Sequence, residues 1–284
     1  MVENSKMENI MKMKTGKKEP SVERILLYAI LLTILFIIGY LLFSKNSIKD
    51  SNTEKQEKTE DIVEEEEEER EVVVKKIFST VDGQSVYIAF DENANDEDRY
   101  PIVIYSHGST YTVSEDPSNP LTKDLDYYAE IFVENGYIFA SSNQHGDNWG
   151  SAQAIEDTMK LIDYLDENYK SSDEIYLLGF SMGGLVTMNF AEKYPERIKK
   201  IALLAPTSYV STWNATRVER IKDIPIMIWH GNKDVNVPYS MTTGLIKKLS
   251  SFGKDVELIT VEGVGHFDVD TEYTPAIVEF YKSL

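Results

Sequence analysis

The sequence predicts an α/β domain, a mainly parallel sheet with helices on both faces, preceded by one membrane-spanning helix. Three observations support this. From residue 72 onward, short β-branched or aromatic runs alternate with longer amphipathic ones, the pattern of strands joined by crossover helices. The first two strand candidates have no helix between them, which points to an antiparallel edge before the alternation begins. Residues 25–43 form an uncharged run of 19 residues.

That run reads ILLYAILLTILFIIGYLLF, and as a helix rising about 1.5 Å per residue it can cross roughly 30 Å of hydrocarbon. A cleaved leader has a shorter apolar core, about 7 to 15 residues, ending at a small-x-small site. Here the run is longer and ends in Leu42-Phe43-Ser44-Lys45. A helix buried in a folded core would need cover on every side of this apolar cylinder. Residues 1–24 form a basic flank, whose Lys12, Lys14, Lys17, Lys18 and Arg24 slightly outnumber Lys45, Lys49, Lys55 and Lys58 beyond the run. The more basic flank stays inside, so the expectation is a single-pass protein of the cell membrane with its C-terminal part outside the cytoplasm. Residues 44–71 are polar and carry the acidic run 64–69. They offer too little apolar surface to offset ordering entropy, and are expected to be a disordered linker with a span on the order of 30 Å.

The domain expected at 72–284 has strand candidates at 72–79, 85–90, 102–106, 137–141, 175–178, 198–204, 224–229 and 256–261. Helix candidates lie at 121–135, 152–168, 182–193, 241–252 and 275–282; in the second, Ile155, Met159, Ile162 and Leu165 recur at helical spacing. The 48 acidic against 29 basic residues give a net charge of -19, which repels phosphate backbones, so no nucleic-acid partner is expected. With no cysteine there is no thiol nucleophile, disulfide or thiolate metal site. Four histidines, His107, His145, His230 and His266, are available for acid-base chemistry.

Gly179-Phe180-Ser181-Met182-Gly183 has the form Gly-x-Ser-x-Gly, with a strand candidate running in and a helix candidate running out. That context suits a strained turn that presents a serine, where the residues two before and two after must lack colliding side chains. A serine hydroxyl needs a base within hydrogen-bond reach and a carboxylate to orient that base. Only His230 and His266 follow Ser181, and His230 precedes the best acid, so His266 is the expected base. Asp234 is the preferred acid because it lies just past the carboxyl end of a strand candidate, with Asp268 and Asp270 as alternatives close to His266. An oxyanion needs preorganised N–H donors. Met182 N–H is one candidate; Ser109 N–H is the other, with Thr110 second, and His107 is expected to brace their loop. The loop 143–149 offers His145 and Trp149 as substrate-binding candidates, or else is a plain connection with a cap at Asp147 or Ser151.

With these residues in place, the stretch 72–284 resembles the α/β-hydrolase superfamily. The likeness is to its small single-domain esterases and its dienelactone-hydrolase-like and prolyl-oligopeptidase-like catalytic domains. Four signatures match in order: Tyr105-Ser106-His107-Gly108-Ser109; Gly179-Phe180-Ser181-Met182-Gly183-Gly184; His230-Gly231-Asn232-Lys233-Asp234 followed by Val237-Pro238; and Gly265-His266. The resemblance implies an eight-stranded sheet, a Ser181-Asp234-His266 triad, and neither cofactor nor metal. Family members commonly insert a cap after the sixth strand, whereas here only residues 205–223 separate the two strand candidates. An open, lidless site is therefore expected, with Tyr209 and Trp213 at its rim. The expected activity is that of a carboxylic-ester hydrolase on a small-molecule or peptide acyl substrate. A peptidase or amidase, an acyltransferase and a non-catalytic surface module are the other readings.

Overall fold

The computed structural model describes residues 70–284; the expected flank, membrane span and all but the end of the linker lie outside the described residues. Among the described residues, no helix is long and apolar enough to cross a membrane. Eight strands form one sheet: β1 (Val74–Val81), β2 (Gln84–Asp91), β3 (Tyr100–Ser106), β4 (Ile138–Ser142), β5 (Ser171–Phe180), β6 (Ile198–Leu204), β7 (Ile226–Gly231) and β8 (Glu257–Val261). Their order is β1-β2-β4-β3-β5-β6-β7-β8. β2 is antiparallel to both β1 and β4, and every later pairing is parallel.

The helices are α1 (Pro120–Glu134), α2 (Ala152–Asn168), α3 (Gly183–Lys193), α4 (Ala215–Arg220), α5 (Tyr239–Ser250) and α6 (Thr274–Lys282). Strand residues alternate between two cores. Ile102 and Ile104 pack with Leu161 of α2, Phe190 of α3 and Leu249 of α5, while Val103 and Tyr105 face Phe132 of α1 and Tyr281 of α6. Because both faces are covered, the central strands are apolar almost throughout rather than alternately polar. Helix starts follow the side chains available. Asn119 accepts from Leu121 N–H with Pro120 in the first turn of α1, and Ser151 accepts from Ala154 N–H at the start of α2.

Several elements depart from the expected boundaries, among them β1, β5 and α4. β1 sits two residues further along, since Asp82 and Gly83 both take positive φ (47° and 78°) and close a tight hairpin that pairs Val81 with Gln84. β5 begins at Ser171, paired with Tyr100 across a register shift. α4 was not expected at all; its 6 residues are too few to display a helical period, and the Asn214 cap is its main sequence signal.

Because β3 to β8 run in parallel, the loops that follow them gather along one edge of the sheet, where α/β folds place their chemistry. At the β5–α3 turn, Ser181 takes φ 53° and the chain reverses directly into the helix. Gly183 lies so close to β3 that a Cβ there would overlap the Ser106 carbonyl oxygen. The opposite face holds a buried acid: Tyr128 of α1 donates to Asp270 Oδ1 at 2.5 Å. Burial pushes the Asp270 carboxyl up to about 7, against the Tyr128 bond and with help from the charge of Asp124.

Two expectations follow. Gly183→Ala should lower stability by about 3 kcal/mol or more, because β3 backbone cannot yield to a new methyl; denaturant midpoints would measure it. Asp270 holds its proton more tightly folded than unfolded, so its contribution falls as pH rises from about 4 to about 7, a loss of up to roughly 4 kcal/mol. Asp270→Asn should accordingly flatten the decline in melting temperature between pH 5 and 8, and an unchanged pH slope would be inconsistent with this.

Candidate active site

The structure brings Ser181, His266 and Asp234 together from three separate loops. Ser181 comes from the β5–α3 turn, where its N–H donates to Leu204 O at 3.0 Å and its carbonyl accepts from Thr207 N–H at 2.8 Å and Gly184 N–H at 3.0 Å. These bonds tie the left-handed serine to β6 and to the first turn of α3, so its strained conformation is held from both sides. His266 comes from the loop after β8, and its Nε2 lies 2.9 Å from Ser181 Oγ. Its Nδ1–H donates to Asp234 Oδ2 at 2.6 Å. All three side chains are buried to within a tenth of full cover. The imidazole is wedged between Phe180 and Phe267, with ring centroids 5.0 and 5.1 Å away.

Asp234 occupies the loop after β7 and is held as an acceptor on both oxygens. Oδ1 accepts from Asn236 N–H and Val237 N–H, each at 2.8 Å. Oδ2 accepts from His266 and, at 3.0 Å, from His230 Nε2–H. His230 is fully buried, and its Nδ1 accepts from the Thr242 hydroxyl at 2.7 Å. Burial lowers the His230 pKa, with the Val237 carbonyl and Asp234 opposing, and the two acceptors at 3.0 Å from Nε2, Asp234 Oδ2 and Val237 O, call for a proton on that nitrogen. Sequence reasoning set His230 aside as a base and missed this supporting role. The readable signal was its spacing of four residues from Asp234 in a single loop. Asp268 and Asp270, the alternative acids, are engaged elsewhere: Asp268 Oδ2 accepts from Gly265 N–H at 2.9 Å, and Asp270 pairs with Tyr128.

Two main-chain amides beside the hydroxyl are candidates for an oxyanion. Met182 is buried where α3 begins, and Ser109 lines the cleft. Among the described residues neither N–H has a hydrogen-bond acceptor. Thr110 N–H, the second choice, is occupied by Asp147 Oδ1 at 2.6 Å. His107 braces this loop. Its fully buried ring faces Gly108 O at 2.7 Å and Asn143 O at 3.0 Å, and the Gly108 carbonyl belongs to the same peptide as Ser109 N–H.

A cleft of about 520 Å³ opens over Ser181, walled by Tyr111, Trp149, Phe180, Val237, Met241 and Phe267. Apart from the imidazole, its lining carries no ionisable acid or base other than a tyrosine among the described residues. Of the two substrate-binding candidates, Trp149 stands in this wall. His145 does not; its Nδ1 pairs with Asp157 Oδ2 at 2.5 Å and its N–H donates to the Gln84 side chain, so it anchors its loop instead. The expected rim divides in the same way. Tyr209 is 49% exposed, whereas Trp213 is buried in the core, where the Arg217 guanidinium lies 4.2 Å from the centre of its ring.

Comparison with known proteins agrees with this architecture. The phospholipase/carboxylesterase family matches residues 137–282, just over half of the chain. A bifunctional acetylxylan esterase/xylanase of Neocallimastix patriciarum is 31% identical over 151 residues, covering 52% of this chain and 21% of that protein. The chain spans only 15% to 34% of the length of the first curated relatives that it matches. Among solved structures, Est1E from Butyrivibrio proteoclasticus superposes with a TM-score of 0.55 at 19% identity, covering 73% of this chain and 96% of its own. The acylaminoacyl peptidase of Pyrococcus horikoshii does so with a TM-score of 0.56 at 13% identity, covering 76% and 42%. At such identities these structures share the fold, and esterases and peptidases both use it. With the eight-stranded sheet, the order of its motifs and the matched residues taken together, the chain belongs to the phospholipase/carboxylesterase family of the α/β-hydrolase superfamily.

Proposed function

We propose that this hydrolase cleaves carboxylic esters through an acyl-enzyme on Ser181. The observation that carries the reading is the hydrogen-bonded series Ser181 Oγ, His266, Asp234. As Ser181 Oγ attacks the ester carbonyl carbon, its proton passes to His266 Nε2, and Asp234 stabilises the resulting imidazolium. The carbonyl oxygen becomes an oxyanion held by Ser109 N–H and Met182 N–H, each donor worth about 3 kcal/mol in the transition state. The tetrahedral intermediate collapses, the alcohol leaves with the proton from His266, and water repeats the sequence to release the acid.

The cleft wall, free of carboxylates among the described residues and lined by aromatic and apolar side chains together with hydroxyl and amide groups, supports neutral acyl or alkyl groups as the substrate class. An aminopeptidase needs carboxylates to hold a substrate ammonium, and none lines this cleft among the described residues. Trp149 and Phe267, at 48% and 61% exposure, carry the apolar part of the wall out to solvent. A peptidase or amidase of the same architecture shares the acyl step and is the outcome to be tested against. Retention of the domain at the cell membrane by residues 25–43, with catalysis outside the cytoplasm, is part of the same proposal and rests on the apolar run and its flanks.

Two measurements test these readings on the full chain. Fluorophosphonate should label the wild type once per chain and leave Ser181→Ala unlabelled, with kcat on a p-nitrophenyl ester lowered by about 10⁴-fold or more. Turnover of matched aminoacyl anilides without turnover of the esters would replace the ester reading by the amidase one. Added protease should digest the domain on intact cells; full protection would place it in the cytoplasm.

A further inference from the structure

We propose that Asp147 is a positioning residue for oxyanion binding, one whose carboxylate fixes the Ser109–Thr110 peptide and so directs the adjacent Ser109 N–H toward the reacting carbonyl. The inference rests on the reading of Ser181 as nucleophile. Thr110 has φ 67°, a left-handed conformation that a β-branched residue adopts only under constraint. The constraint is at hand: Asp147 Oδ1 accepts Thr110 N–H in a short bond of 2.6 Å. That bond engages one of the two amides that could serve the oxyanion and leaves Ser109 N–H unengaged among the described residues.

Asp147 is itself presented by a rigid loop. Gln144, His145 and Trp149 have positive φ (47°, 61° and 48°), a strained conformation for residues other than glycine that persists only where the surroundings over-determine it. Gln144 Nε2 donates to Ser106 Oγ at 3.1 Å and to Thr158 Oγ1 at 2.8 Å, His145 is paired with Asp157, and Asn189 Nδ2 donates to Gly150 O at 3.1 Å. Asn143 adds two ties to the oxyanion loop, its carbonyl to the His107 ring and its Oδ1 to Val113 N–H at 3.2 Å. A loop held at so many points on β3, α2 and α3 transmits their position to Thr110 through one carboxylate. It closes the sheet connection and supplies a wall of the cleft as well, through Trp149.

A donor aimed at the oxyanion acts on the transition state and not on substrate binding, so its displacement should appear in kcat. In the full chain assayed with p-nitrophenyl butyrate, Asp147→Ala should lower kcat by about 10- to 100-fold and leave KM within about twofold. Fluorophosphonate labelling should slow in parallel yet still reach one per chain, showing that Ser181 and His266 remain assembled. Asp147→Asn keeps an acceptor oxygen and the shape of the side chain, and should recover most of the loss; it also supplies the answer if the alanine variant fails to fold. Adding Thr110→Gly to Asp147→Ala should recover part of kcat, since glycine adopts positive φ without constraint. A wild type active on the ester with Asp147→Ala unchanged in kcat, or changed in KM alone, would overturn the positioning role and leave the catalytic reading standing. A wild type that neither labels nor hydrolyses would overturn both.

Discussion

The architecture depends on one constraint at the β5–α3 turn, where a serine in left-handed conformation must fit against the end of β3. The fit is possible because Gly183 offers no side chain to the Ser106 carbonyl, and it is kept by bonds from Ser181 to Leu204, Gly184 and Thr207. The result is an oxygen held at the edge of a rigid sheet while the helix behind it starts with free amides. The other loops need only bring groups to that fixed oxygen. The loop after β7 delivers a carboxylate, the one after β8 an imidazole, and the one after β3 a main-chain donor. Each follows a parallel strand of the one sheet, β3 and β7 within it and β8 at its edge.

Electrostatics divide the molecule along the same line. The chain is strongly acidic, yet no carboxylate lines the cleft among the described residues. The acids near it are committed to bonds: Asp234 to two amides and two imidazoles, Asp268 to Gly265, Asp147 to Thr110 and Asp157 to His145. Asp270 lies buried on the far side of its loop beside Tyr128, at the expense of a raised carboxyl pKa. A cleft of mixed polar and apolar lining that holds no carboxylate of its own, with the nearby carboxylates engaged in bonds, is consistent with the proposed neutral substrate.

Most of the fold was legible because its period is written into the strands and helices themselves. Ile155, Ile162 and Leu165 mark α2, and the two opening strands announce the antiparallel edge. The candidates Asp234 and His266 were equally readable, since only two histidines follow Ser181, one of them ahead of Asp234, and Asp234 lies just past a strand candidate. What escaped was tertiary in origin. Trp213 looks like a rim residue in sequence, but a guanidinium over its ring and a core beneath it draw it inward. His145 sits in the loop that walls the cleft, yet Asp157, twelve residues on and facing it from α2, turns its ring away. No local pattern encodes such long-range pairs, and the bond between Asp147 and Thr110, 37 residues apart, belongs with them.

The amides assigned to the oxyanion, Ser109 N–H and Met182 N–H, are main-chain groups, and this has a consequence for how such a protein is tuned. Exchanging either side chain leaves the donor in place, so a replacement at Ser109 would hardly reveal the donor, and one at the buried Met182 would report lost packing instead. Variation in catalytic power among versions of this chain would surface instead at remote positions that tilt a peptide plane, and the chemistry would look more tolerant of change than it is.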